Sequence, residues 1–380
     1  MRKTINIGDL GTIITGKTPP TTNKNYYGDY AVFIKPTDIS EHSKYTYETE
    51  EMYSKLAAEK YESSLIPKGA ICVPCIGTIG TKMTMAPCDC YTNQSINSII
   101  CNENYDNEYV YYLIKKFLPG LKAYNLGTAS GREYVSKSNF EKIELVAEQD
   151  KEIQKKIGVI LSRYDSLIEN YQKQIKLLEE AAQRLFKEWF VDLRFPGHEN
   201  TNIIDGVPEG WEKKKVGDIT PIITGKKDAN FGTPDGEYPF FTCSQEPIKA
   251  PSFSFDSAAV LLAGNGDFNV KLYRGRFEAY QRTYVLSPYI DSHLYLLFYT
   301  ISANMTKLAA GSSGSTIKFL TKGMIDGINL NVPNDEILES FNKKVEPIQS
   351  SRESLQSQLR LLTEARDRLL PKLMNGEIKV

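Results

Sequence analysis

Histidine is almost absent from this 380-residue chain: His42, His198 and His293 are the only three, and they stand far apart. That scarcity argues against a histidine-based metal site or a nucleophile–histidine triad. Catalytic signatures are missing too. Gly225-Lys226-Lys227 lacks the upstream glycine of a G-x-x-x-x-G-K phosphate loop, and no G-x-G-x-x-G opens a helix. Ala263-Gly264-Asn265-Gly266 follows the apolar run Ala258–Leu262, as an S-adenosylmethionine loop would. No acidic residue closes the next strand and no Asn/Asp-Pro-Pro-aromatic motif follows, so it reads as a strand and turn. Glu377-Ile378-Lys379 imitates a nuclease E-x-K but has no Pro-Asp partner at the usual distance, and reads as a tail.

Net charge is also lacking, at a formal −1, so no general basic surface advertises nucleic acid. Basic residues can still be confined to one face while an acidic run such as Glu48, Glu50, Glu51, Glu59 and Glu62 sits elsewhere; by itself that run reads as solvated surface. No apolar run approaches the roughly 18 residues of a membrane span. Met1–Leu10 is polar and mixed, unlike a signal peptide. The chain is expected to be soluble and cytoplasmic, with no membrane partner.

What is present is helix seam. From Glu152 to Phe190 apolar residues recur in steps of three and four: Ile153, Ile157, Ile160, Tyr164, Ile168, Tyr171, Ile175, Leu178, Ala182, Leu185 and Trp189. A helix of about 38 residues is about 57 Å long, more than one core needs, so it requires a partner helix. Ile337–Met374 supplies one through Leu338, Phe341, Val345, Ile348, Leu355, Leu359, Leu362, Leu369 and Leu373, with Arg352 and Arg366 at the two remaining seam positions.

The two helices are copies. Gln154-Lys155-Lys156-Ile157 reappears as Asn342-Lys343-Lys344-Val345, and Glu180–Phe186 as Glu364–Leu370. The first copy is four residues longer between these anchors, and its doubled four-step Ile160, Tyr164, Ile168 marks a four-residue stutter. The segments before the helices repeat as well. Ile7-Gly8-Asp9-Leu10 corresponds to Val216-Gly217-Asp218-Ile219, and Ile13–Lys17 recurs identically as Ile222–Lys226. Asn107–Ile114 matches Ser292–Tyr299 as a helix. The loop Gly127–Arg132 matches Gly311–Thr316, and Ile143-Glu144-Leu145 matches Ile328-Asn329-Leu330. Strands are expected at Tyr30–Ile34, Ala70–Ile76, Ser95–Cys101 and Phe140–Val146.

The expected fold is α+β: two mixed α/β domains, each followed by a long helix, the helices pairing as an antiparallel coiled coil with internal pseudo-two-fold symmetry. The expected segments are 1–147, a first helix at 148–193, a linker at 194–210, a second domain at 211–333, and a second helix and tail at 334–380. A DNA duplex has the same pseudo-two-fold symmetry, and two unlike domains on such a frame suit a split, asymmetric sequence, with helix length fixing the gap.

Cys72-x-x-Cys75 and Cys88-x-Cys90 have a spacing that four zinc-binding thiolates could use. Against it, a strand points Cys72 and Cys75 to opposite faces, and the second copy has Val260 and Ala263 there. The favoured reading is buried small hydrophobes and no metal.

The polar loops are the better binding candidates. Thr15, Gly16, Lys17 and Thr18, with Thr224, Lys226 and Lys227, offer backbone N–H, hydroxyl and ammonium donors suited to phosphate oxygens. Thr128, Ser130 and Arg132, and Ser313, Ser315, Thr316 and Lys318, belong to glycine-containing loops that can approach a nucleic-acid backbone. Asn93, Gln94 and Ser95, and Gln281 and Arg282, carry side chains able to pair with purine edges; Asn265, Asp267, Arg274 and Arg276 have the same capacity. Lys35, Thr78 and Lys82 complete the expected DNA-binding set. Any of these can instead satisfy a local turn.

With these motifs laid out, the chain resembles the specificity subunit of a type I restriction–modification system. The resemblance spans essentially the whole sequence. Its carriers are Ile7–Leu10 through Gly16-Lys17-Thr18-Pro19, Ile66-Pro67-Lys68-Gly69 to Ile79-Gly80, Tyr280–Leu286, Gly314–Leu320, and the helix motifs ending in Arg184-Leu185-Phe186 and Arg368-Leu369-Leu370. Ala147 departs from the family's usual proline, present here in the second copy as Pro333, and touches only the helix entry. The resemblance implies two target-recognition domains reading a bipartite site on double-stranded DNA, and helices that set the spacer and dock two modification subunits. Restriction subunits, ATP-dependent translocases and nucleases, would join outside. It implies no cofactor on this chain, with S-adenosylmethionine, ATP and Mg on the partners. The rivals are a coiled-coil scaffold without DNA contact, which does not need two diverged domains, and a stand-alone modifying enzyme, which needs a catalytic motif.

Overall fold

A computed structural model of the chain describes residues 2–127, 133–312 and 318–380. The chain divides into two units, Met1–Lys173 with Leu355–Val380, and Gln174–Ser354. Each unit holds a mixed α/β globular domain and a stretch of both long helices, Lys151–Phe186 and Asp335–Asn375.

In the first unit the domain is closed by its own ends: Arg2–Asn6 pairs antiparallel with Glu144–Glu148 just before the first long helix. The repeated Ile-Gly-Asp-Leu motif is a single turn of 3-10 helix. Asp9 accepts the Asn6 backbone N–H at 2.8 Å, and the Ile7 N–H donates to the Ile143 carbonyl at 2.9 Å. These bonds use donors that a helix start leaves open. Gly11–Thr15 then pairs with Ile96–Cys101, which pairs with Ile71–Pro74, while Ala31–Ile34 runs parallel to Tyr91–Thr92. The expected strands thus form, apart from Phe140–Val146. There a short helix, Lys137–Glu141, is capped by the Ser136 hydroxyl, and the strand begins only at Glu144. Cys72 and Cys75 join different core clusters, one around Ile34 and Ile66, the other around Ile7 and Tyr109.

The second unit repeats this frame. Glu212–Lys215 pairs antiparallel with Asn329–Val332. Asp218 accepts the Lys215 N–H at 2.7 Å, and the Val216 N–H donates to the Ile328 carbonyl at 2.9 Å. Ile222–Thr224 pairs with Thr283–Leu286, which pairs with Phe255–Ala263, and Tyr238–Phe241 runs parallel to the end of Val270–Ala279. Its helix, Leu294–Gly311, extends well past the expected Tyr299.

The helix motifs have a structural reason. Gln154, fully buried, accepts the Asp106 N–H at 2.8 Å and donates to the Glu148 carbonyl at 2.9 Å. Its counterpart Asn342 donates to the Ser292 carbonyl at 2.8 Å. Each long helix thereby grips the start of the helix in its own domain. In the first unit Ile157 and Leu161 of the first long helix join one core with Leu370 and Leu373 of the second. In the second unit Ala182 and Phe186 do so with Phe341 and Val345. Each fully buried side chain contributes on the order of 1.5–3 kcal/mol.

The two seam arginines are answered by acids. Arg366 Nη1 lies 2.6 Å from Asp165 Oδ1 within the first unit, and Arg352 Nη1 lies 3.5 Å from Glu179 Oε1 within the second. Asp165 to Glu179 and Arg366 back to Arg352 are the same two-heptad step along the sequence. One expectation shifts: Ile157 and Ile168 of the expected seam are buried, but between them the buried positions are Leu161 and Asp165, each under 5 % exposed, rather than Ile160 and Tyr164. The helix packs against its domain as well as its partner, which turns the buried stripe by one position.

Candidate nucleic-acid interface

In the first unit three strand ends converge on one rim. Gly16 N–H donates to the Ile96 carbonyl at 3.2 Å, Lys17 N–H to Thr92 at 2.9 Å, and Cys75 N–H to Ser95 at 2.7 Å. The Asn93 N–H donates to Ile34 at 3.1 Å, which brings in the strand that precedes Lys35. Across the rim the Thr18 hydroxyl donates to the Gln94 carbonyl oxygen. Lys17, Thr18 and Gln94 present exposed side chains there.

The second unit builds an equivalent rim. Gly225 N–H donates to Thr283 at 3.2 Å, Gly264 N–H to Arg282 at 2.8 Å, Gln281 N–H to Lys227 at 2.9 Å, and Leu320 N–H to Gly264 at 2.8 Å. These bonds draw together the Thr224–Lys227 turn, Asn265–Asp267, Gln281–Arg282 and Lys318. Lys226, Asp267, Gln281, Arg282 and Lys318 are exposed, and the Lys227 ammonium lies 4.4 Å from the Phe231 ring centre.

The glycine of the repeated pentapeptide has a definite reason. A Cβ on Gly16 would stand 2.1 Å from the Thr92 carbonyl oxygen; one on Gly225 would stand 1.9 Å from that of Ala279. Only a residue without a side chain lets this turn lie against the neighbouring strand.

Several expected contacts are spent inside the protein. The backbone N–H groups of Gly16, Lys17 and Gly225 are taken by the bonds above, so they do not offer themselves to phosphate. The Thr15 hydroxyl donates inward to Asn97 at 2.7 Å. Asn93 Oδ1 accepts the Ser95 N–H at 3.1 Å, tying both residues to their own turn. Lys35 is clamped by Glu50 at 2.8 Å and Glu51 at 3.1 Å, and these bonds outweigh burial to raise its pKa.

Arg274 leaves the rim altogether: it pairs with Glu346 of the second long helix at 3.2 Å and with the Tyr295 hydroxyl at 2.8 Å. Arg276 pairs with Asp256 at 3.1 Å above the Phe253 ring. Of the remaining candidates, Thr78 and Thr224 are exposed, and Lys82 and Asn265 half-buried. Thr128, Ser130, Arg132, Ser313, Ser315 and Thr316 lie outside the described residues. Sequence reasoning missed Asp165 and Glu179, the acids that answer the two seam arginines, because no local signal sets them apart from the other carboxylates of the helix.

Burial pushes the Cys72 and Cys75 thiols up to about 12, which keeps them protonated. Among the described residues no three His, Cys, Asp or Glu side chains converge as metal ligands do. No described helix is long and apolar enough to cross a membrane.

A family model described as the type I restriction modification DNA specificity domain matches residues 2–180 and 208–355. Across 98% of its length the chain is 27% identical to the type I restriction enzyme MjaIX specificity subunit of Methanocaldococcus jannaschii, and covers 93% of that protein. It is 36% identical over 176 residues to the type I restriction enzyme EcoDI specificity subunit of Escherichia coli, 45% of this chain and 39% of that one. In fold it is similar to the crystal structure of a type I restriction–modification S subunit from M. genitalium. The TM-score is 0.64 at 16% identity, covering 98% of this chain and 96% of that one. With its twice-built frame matched by that family model over both halves, the chain belongs to the type I restriction–modification DNA specificity family.

Proposed function

We propose that this chain is the DNA-sequence reader of a type I restriction–modification complex, a non-catalytic subunit whose two globular domains each read part of a bipartite, asymmetric site. One observation carries the reading: the same rim is built twice from equivalent hydrogen bonds, Lys17 and Gln94 on one recurring as Lys226 and Gln281 on the other, while the polar side chains that flank them differ. Thr18 flanks that lysine and glutamine on one rim; Lys227, Arg282 and Lys318 flank them on the other. Amide and guanidinium groups pair with purine edges, and lysines with phosphates. A common frame with different exposed groups is what two modules for different half-sites require.

In this reading the long helices set the distance between half-sites and dock two modification subunits, with restriction subunits joining outside. Methyl transfer from S-adenosylmethionine, and ATP- and Mg-dependent translocation and cleavage, belong to those partners, which meet DNA in the cytoplasm. The names of the relatives, all specificity subunits, support this division of labour.

Methylome sequencing of a host carrying the chain with its modification subunit tests the proposal. A split methylated motif that disappears when this chain is deleted is the expected result. Exchange of residues 220–331 for another second domain should then rewrite one half of the motif and leave the other. If deletion leaves every methylated motif in place in an active system, the DNA-reading function is wrong and the scaffold reading takes over.

A further inference from the structure

Beside the second rim runs a segment that no sequence motif singled out, Thr242-Cys243-Ser244-Gln245-Glu246. It follows the strand Tyr238–Phe241 and is held from outside. Asn269 Nδ2 donates to the Cys243 carbonyl at 2.9 Å, and the Lys271 ammonium donates to the Ser244 carbonyl at 2.7 Å and to Asn269 Oδ1. The Cys243 thiol lies 3.7 Å from the Arg282 carbonyl, and Thr283 Oγ1 donates to the Phe241 carbonyl at 3.1 Å. The segment is therefore fastened to the turn that carries Gln281 and Arg282, while Ser244, Gln245 and Glu246 remain exposed.

The first unit handles the equivalent position differently. After Ala31–Ile34, the turn Lys35–Asp38 closes on itself. Asp38 accepts the Lys35 N–H at 2.8 Å and the Glu50 N–H at 3.2 Å, and Lys35 is neutralised by Glu50 and Glu51. That turn is finished internally. In the second unit a half-buried lysine and a buried asparagine are committed to the Cys243 and Ser244 carbonyls, at the base of the exposed Ser244, Gln245 and Glu246. Burial lowers the Lys271 pKa to about 8, opposed by the nearby Cys243 and Glu246. A partly desolvated ammonium is unfavourable, and a fold keeps one where the geometry it enforces matters.

We propose that Thr242–Glu246 is a base-reading loop of the second globular domain, with Gln245 and Glu246 as specificity-determining residues and Asn269 and Lys271 as positioning residues. This rests on the DNA-reading function proposed above. The glutamine amide presents a donor beside an acceptor, the pattern that matches adenine N7 and N6; a carboxylate accepts from cytosine N4. Glu246 is repelled by phosphates, so its place beside the rim favours a base edge over the backbone and penalises wrong sequences.

The test uses the chain assembled with its modification subunits and a library with both half-sites randomised. Wild-type complex should enrich a bipartite consensus; if it enriches no sequence, the DNA-reading function itself fails. Given that consensus, Gln245→Ala and Glu246→Gln should each lose about ten-fold discrimination at one position of a single half-site. The other half should stay unchanged. Lys271→Met should blur those same positions, and Lys271→Arg should restore them. A merely structural lysine would lower affinity or thermal stability without moving base preference. If the wild type is selective and both loop variants keep its preference at every position, the loop is not a reader. If Lys271→Met alone keeps that preference, its positioning role is overturned.

Discussion

The two units hold their domains on the helices by different chemistry. In the first, charge is buried. Arg366, 7 % exposed, lies between Asp165 and Asp367, and the Tyr112 hydroxyl also donates to Asp165. Lys44 reaches Glu108 of the same domain's helix and lies 5.3 Å from the Tyr111 ring centre. In the second unit, rings replace this network. Phe190 meets Phe341 at 4.7 Å between ring centres, Trp189 meets Phe341 at 5.9 Å, and Phe195 meets Trp211 at 4.7 Å. Its seam pair, Arg352 with Glu179, is looser at 3.5 Å, and its other arginine–glutamate pair, Arg274 with Glu346, is half exposed. The lesson is that the frame tolerates either solution, provided the seam is filled and every buried charge has a partner.

That contrast can be broken from either side. Arg366→Met should produce the largest effect, about 3–5 kcal/mol of destabilisation, because Asp165 is left buried with only a neutral donor. The double variant Asp165→Leu with Arg366→Met should recover most of that loss in urea unfolding. Recovery would show that pairing, and not charge itself, is what the seam needs. Phe341→Ala should also cost about 3–5 kcal/mol. Its loosening should appear in hydrogen exchange at Leu294–Gly311 and leave Asn107–Phe117 protected; equal loosening of both helices would contradict separate cores.

Gly225→Ala should cost about 1–3 kcal/mol, since the new Cβ meets backbone that cannot swing aside. Gly16→Ala should behave alike, and a harmless substitution at either site would contradict the close approach. Arg274→Ala should do least, about 0.2–1 kcal/mol, as an exposed pair does. The Tyr295 hydrogen bond holds the Glu346 carboxyl below its usual range, against burial and with help from Arg274. A lowered carboxylate pKa stabilises the fold above the ordinary glutamate range, and that contribution is lost as pH falls through the folded value. Glu346→Gln should therefore flatten part of the acid limb of a stability–pH curve; an unchanged limb would contradict it.

Much of the architecture is legible in the sequence. The Ile-Gly-Asp-Leu and Thr-Gly-Lys motifs recur because the same turn and the same close strand contact are built twice, and these are local requirements. The seam was legible from its period, including the odd arginines at 352 and 366. Their acids were not, because nothing local marks Asp165 or Glu179 among many surface carboxylates. The candidate interface was legible as loops and illegible as side chains. Lys35 is claimed by Glu50 and Glu51, and Arg274 by Glu346, partners far along the chain that only packing brings near.

The sequence by itself determined the repeat, the two long helices, the strand-and-turn frame and the family, because periodicity and turn chemistry are written in neighbouring residues. Tertiary structure decided which donors remain free, which face of the first helix is deepest, and that Thr242–Glu246 adjoins Arg282. Those outcomes depend on contacts between distant segments, where burial and partner geometry select one use for each polar group.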